Sequence, residues 1–188
     1  MAEGTEIEFC RDMIKAELPD RSSLKLRAPD ISFTDQVDID LSGVTCQVVH
    51  VGGDHAADSS IVVIPEEKVV FLGDCIYPDL HSGEPNYTTH QLFPLIDRLL
   101  SYQADFYLLA HHPQPVPRSE FVEYATLLKT IGQTVEQIGA NRALILQELQ
   151  KFDGLLLDED TLEDIDAFLA GLRKSKWIYS YEQQRRRY

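Results

Sequence analysis

Apolar and polar positions between residues 36 and 72 follow the two-residue period of β-strands. Residues 37–41 alternate apolar with acidic side chains, which predicts a strand with one buried face. A Ser-Gly pair at 42–43 suits a tight hairpin turn, and the alternation resumes over residues 44–48. Two short apolar runs, 61–64 and 69–72, flank a polar turn. They predict adjacent antiparallel strands that are buried on both faces.

The period of α-helices dominates the rest of the chain. It predicts a helix over residues 5–17 that Pro19 ends, followed by a loop over residues 18–35. A last buried strand is predicted at residues 106–109. Apolar stripes predict four further helices. Their predicted starts are Thr89 as a cap, the position after Ser119, Asn141 as a cap, and a near capping box of Thr161 and Asp164.

Composition and charge narrow the class of protein. The chain has 188 residues, 44% hydrophobic and 26% charged, which is typical of a globular domain. Its 17 basic and 31 acidic residues give a net charge of −14, which argues against a nucleic-acid partner. No apolar run is long enough to span a membrane, and the start lacks signal-peptide features. Three cysteines without zinc-ribbon spacing favour a cytoplasmic protein.

Three potential metal ligands each follow the C-terminal end of a predicted strand: His55, Asp74 and His111. Neighbouring strands of one sheet would bring them together at one rim. Two imidazoles and a carboxylate are a ligand set that zinc, iron and manganese accept. Two alternatives stay open, since a one-residue slip would exchange His111 for His112, and Asp74 could simply belong to a turn.

Other polar side chains near this rim could support or extend the site. His50 and Asp58 could orient the ligands or replace one of them. The loop over residues 78–90 lies beside the rim, and four of its side chains could contact substrate or could simply be solvated: His81, Glu84, Tyr87 and His90.

This ordered set resembles the metallo-β-lactamase superfamily. Residues 48–59 contain a strand and a Gly-Gly-Asp-His turn, residues 61–74 contain a strand, a Pro-containing turn and a strand that ends in Gly-Asp, and Ala110-His111 fits the final histidine. The resemblance implies an α/β fold that forms the C-terminal half of a four-layer αββα sandwich, with a mostly antiparallel or mixed sheet and covering helices. It also implies that His55 binds one metal ion, that Asp74 bridges two ions as the catalytic carboxylate, and that His111 binds the second ion.

The chain departs from the family pattern, because no His-x-His-x-Asp-His loop is present. We therefore expect one N-terminally truncated domain over residues 1–188, with residues 141–188 as a helical extension and an incomplete metal site. The sheet would lack its usual cover on one face, built from Val44, Cys46, Val48, Val62, Ile64, Val70 and Leu72.

The resemblance implies a metal-dependent hydrolase that uses one or two zinc, iron or manganese ions. Water activated by these ions would attack a small-molecule ester, lactone, thioester or phosphodiester. We expect this chain alone to be inactive or weakly active. The alternative is a non-catalytic truncated module of the same fold that associates with itself, with a homodimer the expected state.

Overall fold

A six-stranded mixed sheet, with helices packed on one face, forms the body of the chain. It is seen in a computed structural model that describes residues 3–81, 83–152 and 155–185. Across the sheet the strands follow their order along the chain. All neighbours are antiparallel except β4 and β5, which are parallel. The strands are β1 Gln36–Asp40, β2 Thr45–His50, β3 Ser60–Ile64, β4 Val69–Gly73, β5 Phe106–Leu109 and β6 Val116–Pro117.

The predicted alternation and the antiparallel pair at residues 61–72 are confirmed, but the prediction that both faces are buried is wrong. The face that carries Ile61, Val70 and Leu72 is 0–1% exposed under the helices. On the other face Phe71 and Phe106 are each 43% exposed. The two faces of these strands therefore have different environments, and only the helical side is a closed core.

The predicted membership of the bare face also needs correction. Register pairs Val62 with Phe71, so Phe71, rather than Val70 or Leu72, shares a face with Val62. Val70 and Leu72 point into the core because a strand alternates its side chains, and this hairpin pairs even-numbered with odd-numbered residues. The bare face retains Cys46, Val48, Val62 and Ile64, all half-buried, together with Phe71 and Phe106.

Five α-helices lie in the described residues, close to where the apolar periodicity predicts them. They are α1 Glu3–Glu17, α2 Thr89–Ser101, α3 Arg118–Ile138, α4 Arg142–Leu149 and α5 Glu159–Arg185, and a 3₁₀ turn spans Pro65–Glu67. Over the described ranges, none of these helices has the length and apolarity needed to cross a bilayer. From residue 11 to residue 36 every side chain is exposed, so this stretch does not form a closed cover over the bare sheet face.

The structure confirms one predicted helix cap and corrects the starts of two other helices. The Asn141 side chain accepts a hydrogen bond from the backbone N–H of Leu144 at 3.2 Å, which confirms the predicted cap of α4. The predicted cap of α2 is wrong by one residue, because Thr88 occupies the cap position and its side chain makes no cap bond. Helix α5 begins earlier than predicted, since the Asp158 carboxylate accepts the N–H of Thr161 at 3.0 Å.

Aromatic stacking joins the helices to the sheet beneath the rim. Tyr107 of β5 stacks on Phe121 of α3, with ring centroids 4.0 Å apart. The backbone N–H of Tyr87 donates to the carbonyl of Ala167 in α5 at 3.1 Å, and the Tyr87 ring packs on Phe168. These contacts hold α5 against the loop over residues 77–87, beside the C-terminal ends of β4 and β5.

Candidate metal centre

Strand directions explain why three distant residues reach one edge of the sheet. Strand β3 is antiparallel to both β2 and β4, and β4 is parallel to β5, so β2, β4 and β5 run in the same direction. Their C-terminal ends therefore lie on one rim. His55 follows β2 after a short turn, Asp74 follows β4 directly, and His111 is two residues beyond β5.

Gly53 allows the turn after β2 to pack against the segment after β4. Its φ is +135°, and a Cβ at this position would lie 2.9 Å from the carbonyl oxygen of Cys75. A side chain would therefore push the two segments apart, since backbone cannot yield as a flexible side chain can. The glycine brings His55 within reach of Asp74.

The Asp74 carboxylate lies between the two histidines. Its Oδ2 is 3.9 Å from Nε2 of His55, and its Oδ1 is 3.2 Å from Nε2 of His111. Nevertheless Oδ1 is buried and has no hydrogen-bond partner among the described atoms, because the His111 contact lacks hydrogen-bond alignment. A buried carboxylate oxygen without a donor costs free energy, which marks this position as one that a cation would stabilise.

The orientation of His55 is fixed from its other ring nitrogen. Nδ1 of His55 lies 3.0 Å from the carbonyl oxygen of Pro78. A carbonyl can only accept, so Nδ1 carries a hydrogen and Nε2 is the ring nitrogen that faces Asp74. A backbone carbonyl bound to the second nitrogen is the usual support of a metal-binding histidine.

The two adjacent histidines at the end of β5 face different partners. His111 faces Asp74, whereas Nδ1 of His112 contacts the carbonyl oxygen of Gln114 at 2.7 Å. The structure thus brings together His55, Asp74 and His111 and leaves His112 in its own loop. That these three bind metal stays a prediction.

Of the two residues predicted to support the ligands, His50 contacts the loop that carries His55, whereas Asp58 does not contact the candidate ligands. His50 contacts the carbonyl oxygen of Ala57 at 2.9 Å and so ties the end of β2 to the loop that carries His55. Asp58 is exposed, and within the described residues no hydrogen bond or ion pair joins its carboxylate to His55, Asp74 or His111.

The 78–90 loop contributes one side chain close to the candidate ligands. The ring of His81 lies edge-to-face against that of His55, with centroids 5.5 Å apart. Glu84 pairs with Arg173 of α5, and His90 is exposed. Tyr87 is 2% exposed, and its hydroxyl donates to the carbonyl oxygen of Ile76, so its main role is in packing.

Sequence reasoning assigned no role to Asp54, yet it anchors the His55 loop. Its carboxylate accepts hydrogen bonds from the N–H of Thr88 at 2.8 Å, from the Thr88 hydroxyl at 2.6 Å and from Gln91 at 3.0 Å. Burial raises the pKa of Asp54, and the Thr88 hydrogen bonds partly offset the rise. An acidic residue directly before a candidate ligand was the available signal, but its partner is 34 residues away and invisible to local pattern.

Tyr77 is a second residue that the sequence did not single out. Its ring centroid lies 5.6 Å from that of His111, and the two rings are tilted by 44°. Burial raises the pKa of Tyr77, so the phenol stays neutral. The neighbouring Cys75 is buried, and desolvation followed by the charge of Asp74 raises its thiol pKa to about 12, which disfavours the thiolate that a metal would need.

The three candidate ligands are arranged around one shared carboxylate and do not surround a single metal position. Among the described residues, no group of three or more His, Cys, Asp or Glu side chains converges on one point that could hold a metal ion. Each oxygen of Asp74 instead faces a different imidazole. This arrangement suits a carboxylate that bridges two ions, each with two donors from this chain, fewer than the four of a closed zinc site.

A cavity of about 1050 Å³ adjoins the rim. The 77–87 loop, the end of β5, and helices α3 and α5 enclose it, and His111 and Tyr77 form its edge. Asp164 of α5 lines this cavity. Burial, and then the charges of Asp160, Glu163 and Asp158, raise the pKa of Asp164 to about 7. The wall at Asp164 therefore disfavours an ionised carboxyl, first through desolvation and then through the neighbouring carboxylates.

Comparison with known proteins confirms the resemblance over part of the chain. A 54-residue stretch, 29% of the chain, is 37% identical to a type 2 metallo-β-lactamase of Bacteroides fragilis and spans 21% of that protein. No protein-family model matches the chain. This local match and the fold below support the metallo-β-lactamase resemblance that the motifs predict.

Solved structures show the same fold. A sec-alkylsulfatase from a Pseudomonas species aligns with 79% of this chain and 27% of its own, at 16% identity and a TM-score of 0.50. A metallo-β-lactamase from Pontibacter korlensis aligns with 62% of this chain, at 26% identity and a TM-score of 0.41. The chain spans about half the length of that second protein, 54%. The mixed α/β fold expected from the sequence is thus confirmed.

The raised pKa of Asp164 predicts how stability depends on pH. As pH rises from about 4, the carboxyl ionises in the unfolded chain, whereas in the folded chain it stays protonated until about pH 7. The free energy of unfolding should therefore fall across this interval. Asp164→Asn should remove that slope and stabilise the chain at pH 8 by about 1–2 kcal/mol, a figure reduced for solvent screening of a half-buried group.

Urea denaturation at pH 4.5, 6 and 8 measures this effect. Glu159→Gln removes one negative charge from the exposed start of the same helix and serves as the control. An Asp164→Asn variant with the same pH slope as the parent chain would contradict the assigned environment of Asp164.

Proposed function

We propose that this chain carries part of the active site of a metal-dependent hydrolase, with His55, Asp74 and His111 as its metal ligands. One observation carries the proposal: Asp74 presents one oxygen to each imidazole, and its buried Oδ1 has no hydrogen-bond donor among the described residues. In a neutral His55 ring with its hydrogen on Nδ1, the Nε2 lone pair would face Oδ2 across 3.9 Å, so that two acceptors would oppose each other. A cation between them would turn this repulsion into attraction.

Each residue has a distinct role in the proposed site. His55 would hold one ion, His111 a second, and Asp74 would bridge them; zinc, iron and manganese all accept imidazole and carboxylate donors. When bound, such ions supply a Lewis acid and make hydroxide available from water near neutral pH.

The residues around the ligands keep them in position. The Pro78 carbonyl holds the His55 ring in the tautomer that leaves Nε2 free. Asp54 anchors the His55 loop to the start of α2, and the Tyr77 ring packs beside that of His111. These contacts reduce the motion of both imidazoles relative to Asp74.

A small molecule with a hydrolysable bond is the proposed substrate. The cavity beside His111 has the volume expected of a small-molecule site. Esters, lactones, thioesters and phosphodiesters all fit the proposed chemistry. The net charge of −14 disfavours a polyanionic substrate such as a nucleic acid.

The proposal predicts weak and incomplete metal binding by this chain. Zinc titrated into the metal-free chain by calorimetry should bind at clearly fewer than two ions per chain, because His55, Asp74 and His111 cannot close two sites. His55→Gln and Asp74→Asn should each weaken binding about tenfold or more, since each removes a donor.

His112→Gln is the matched control for His111→Gln, because His112 is the adjacent histidine and faces Gln114. Only the His111 variant should lower zinc affinity. Two zinc ions retained against a mild chelator would show that further ligands exist, and equal effects of the two variants would contradict the role of His111.

The bare sheet face supports a second candidate function, a self-associating module without catalysis. Val48, Val62, Phe71 and Leu108 form one row across four strands on this face, as the register shows. Phe71 and Phe106 remain 43% exposed. Each large apolar side chain left in water forgoes roughly 1.5–3 kcal/mol of burial, which favours pairing of two copies.

A homodimer at micromolar concentration is the expected state. Phe71→Lys should shift it towards monomer in light scattering across a dilution series, because a charge would be buried between the sheets. Phe152→Lys is the matched control, since Phe152 is also exposed, at 49%, but lies outside the sheet. A parent chain that is monomeric throughout the series would reject this candidate.

A further inference from the structure

A short segment before β1 alternates between apolar and basic side chains. Residues 24–27 read Leu-Lys-Leu-Arg. Leu26 is 92% exposed and Leu24 is 51% exposed, and the two basic side chains are exposed as well. This alternation is typical of a strand with two different faces, yet residues 24–29 form neither strand, helix nor turn in this chain. The segment therefore has the pattern of a strand but joins no sheet.

Strand β1 has an open edge. It is the first strand across the sheet, and its neighbour β2 lies on one side only. The carbonyl of Asp35 and the N–H of Leu41, just beyond the two ends of β1, both bond towards β2. Bonded and outward-facing residues alternate along such a strand, so the even-numbered backbone groups of β1 point away from β2. Within the described residues no strand pairs with them, and an unpaired row of this kind can accept another strand.

The side chains of β1 complement those of the segment. Register places Val37 and Ile39 on the bare sheet face, where Ile39 is 45% exposed. Asp38 and Asp40 are exposed on the opposite face. Within the described part of the chain neither aspartate has an ion pair, and neither do the two basic side chains of residues 24–27. A strand formed by this segment would place its leucines beside the apolar residues of β1 and its positive charges beside the aspartates.

The two aspartates also restrict which strand this edge can accept. If two β1 edges paired with their apolar side chains on one face, aspartate would lie opposite aspartate, and like charges directly opposite each other are destabilising. A slip of one residue would instead place a leucine of the segment opposite an aspartate. The edge therefore favours a strand that alternates apolar and basic residues, in one parity of register.

We propose that residues 24–27 of one chain add a strand to the β1 edge of a second copy, which returns the same contact. Within one chain no backbone hydrogen bond joins residues 24–29 to β1, so the segment and the edge are both open. Residues 28–35 separate them, and a stretch of this length spans about 26 Å when extended, several times the spacing of neighbouring strands. Reciprocal exchange around a two-fold axis uses both segments and both edges.

This inference rests on the second candidate function, self-association, and gives it a specific interface. Backbone hydrogen bonds would supply much of the affinity, and the alternating side chains would supply the specificity. The contact uses the edge of the sheet rather than its bare face, and it does not involve the candidate metal ligands. Variants at the edge and on the face therefore test different contacts.

Two charge-reversed full chains test the exchange. One carries Lys25→Glu with Arg27→Glu, and the other carries Asp38→Lys with Asp40→Lys. Each homodimer would place like charges opposite one another, so light scattering across a dilution series should show a dimer dissociation constant raised at least about tenfold. Mixed in equal amounts, the two chains should form a heterodimer of parental affinity, because each segment then meets an edge of opposite charge.

Arg11→Glu with Lys15→Glu is the matched control. It changes the same two residue types to glutamate, and so the same net charge, at exposed positions of α1. The dissociation constant should stay within about twofold of the parent value, since salt screens charges far from the contact. A mixture that forms no heterodimer would overturn the inference, because mixing cannot restore a contact made within one chain. Equal weakening by the control and the segment variant would also overturn it.

The Phe71→Lys variant separates this inference from the candidate on which it rests. A dimer that dissociates with Phe71→Lys but resists both charge reversals would retain self-association through the sheet face and reject strand exchange. A parent chain that is monomeric throughout the series would reject both. The zinc titration measures the metal site separately, so none of these outcomes decides the hydrolase proposal.

Discussion

The rest of the site depends on the Asp74 carboxylate and on what its two oxygens face. Within the described residues, one of these oxygens is buried without a hydrogen-bond donor, and an imidazole nitrogen lies close to each of the two. The sheet creates this contact, because β2, β4 and β5 end at the same rim. The Gly53 turn, the anchor at Asp54 and the Pro78 carbonyl then hold His55 in place.

Local sequence pattern predicts the elements of this chain better than it predicts their partners. The strands over residues 36–73 follow from alternation, and their ends place three candidate ligands at one rim. The faces do not follow from alternation alone. Val70 and Leu72 were predicted on the bare face, but they lie on the opposite face, because the turn between the strands sets a register that pairs Val62 with Phe71. The Thr88 side chain likewise bonds Asp54, 34 residues away, instead of capping α2, which local pattern does not predict. The cap of α5 is different, because Asp158 bonds Thr161 locally and the sequence analysis missed it.

Two features of the structure call for something outside the described residues. One is the apolar sheet face with exposed Phe71 and Phe106, which a second copy would cover. The other is the cavity of about 1050 Å³ beside His111, which has room for a small molecule. They lie in different environments, since the helices that enclose the cavity pack on the opposite face of the sheet. Association and ligand binding can therefore be measured separately.

Imidazole ¹⁵N resonances give the most direct test that Asp74 and its two histidines form a metal centre. In long-range ¹H–¹⁵N spectra recorded during zinc addition, Nε2 of His55 and Nε2 of His111 should shift, whereas both nitrogens of His112 should not. The same addition to Asp74→Asn should produce smaller shifts at both sites, because the shared carboxylate is lost. Shifts confined to His112, or no shift at either candidate ligand, would contradict the account.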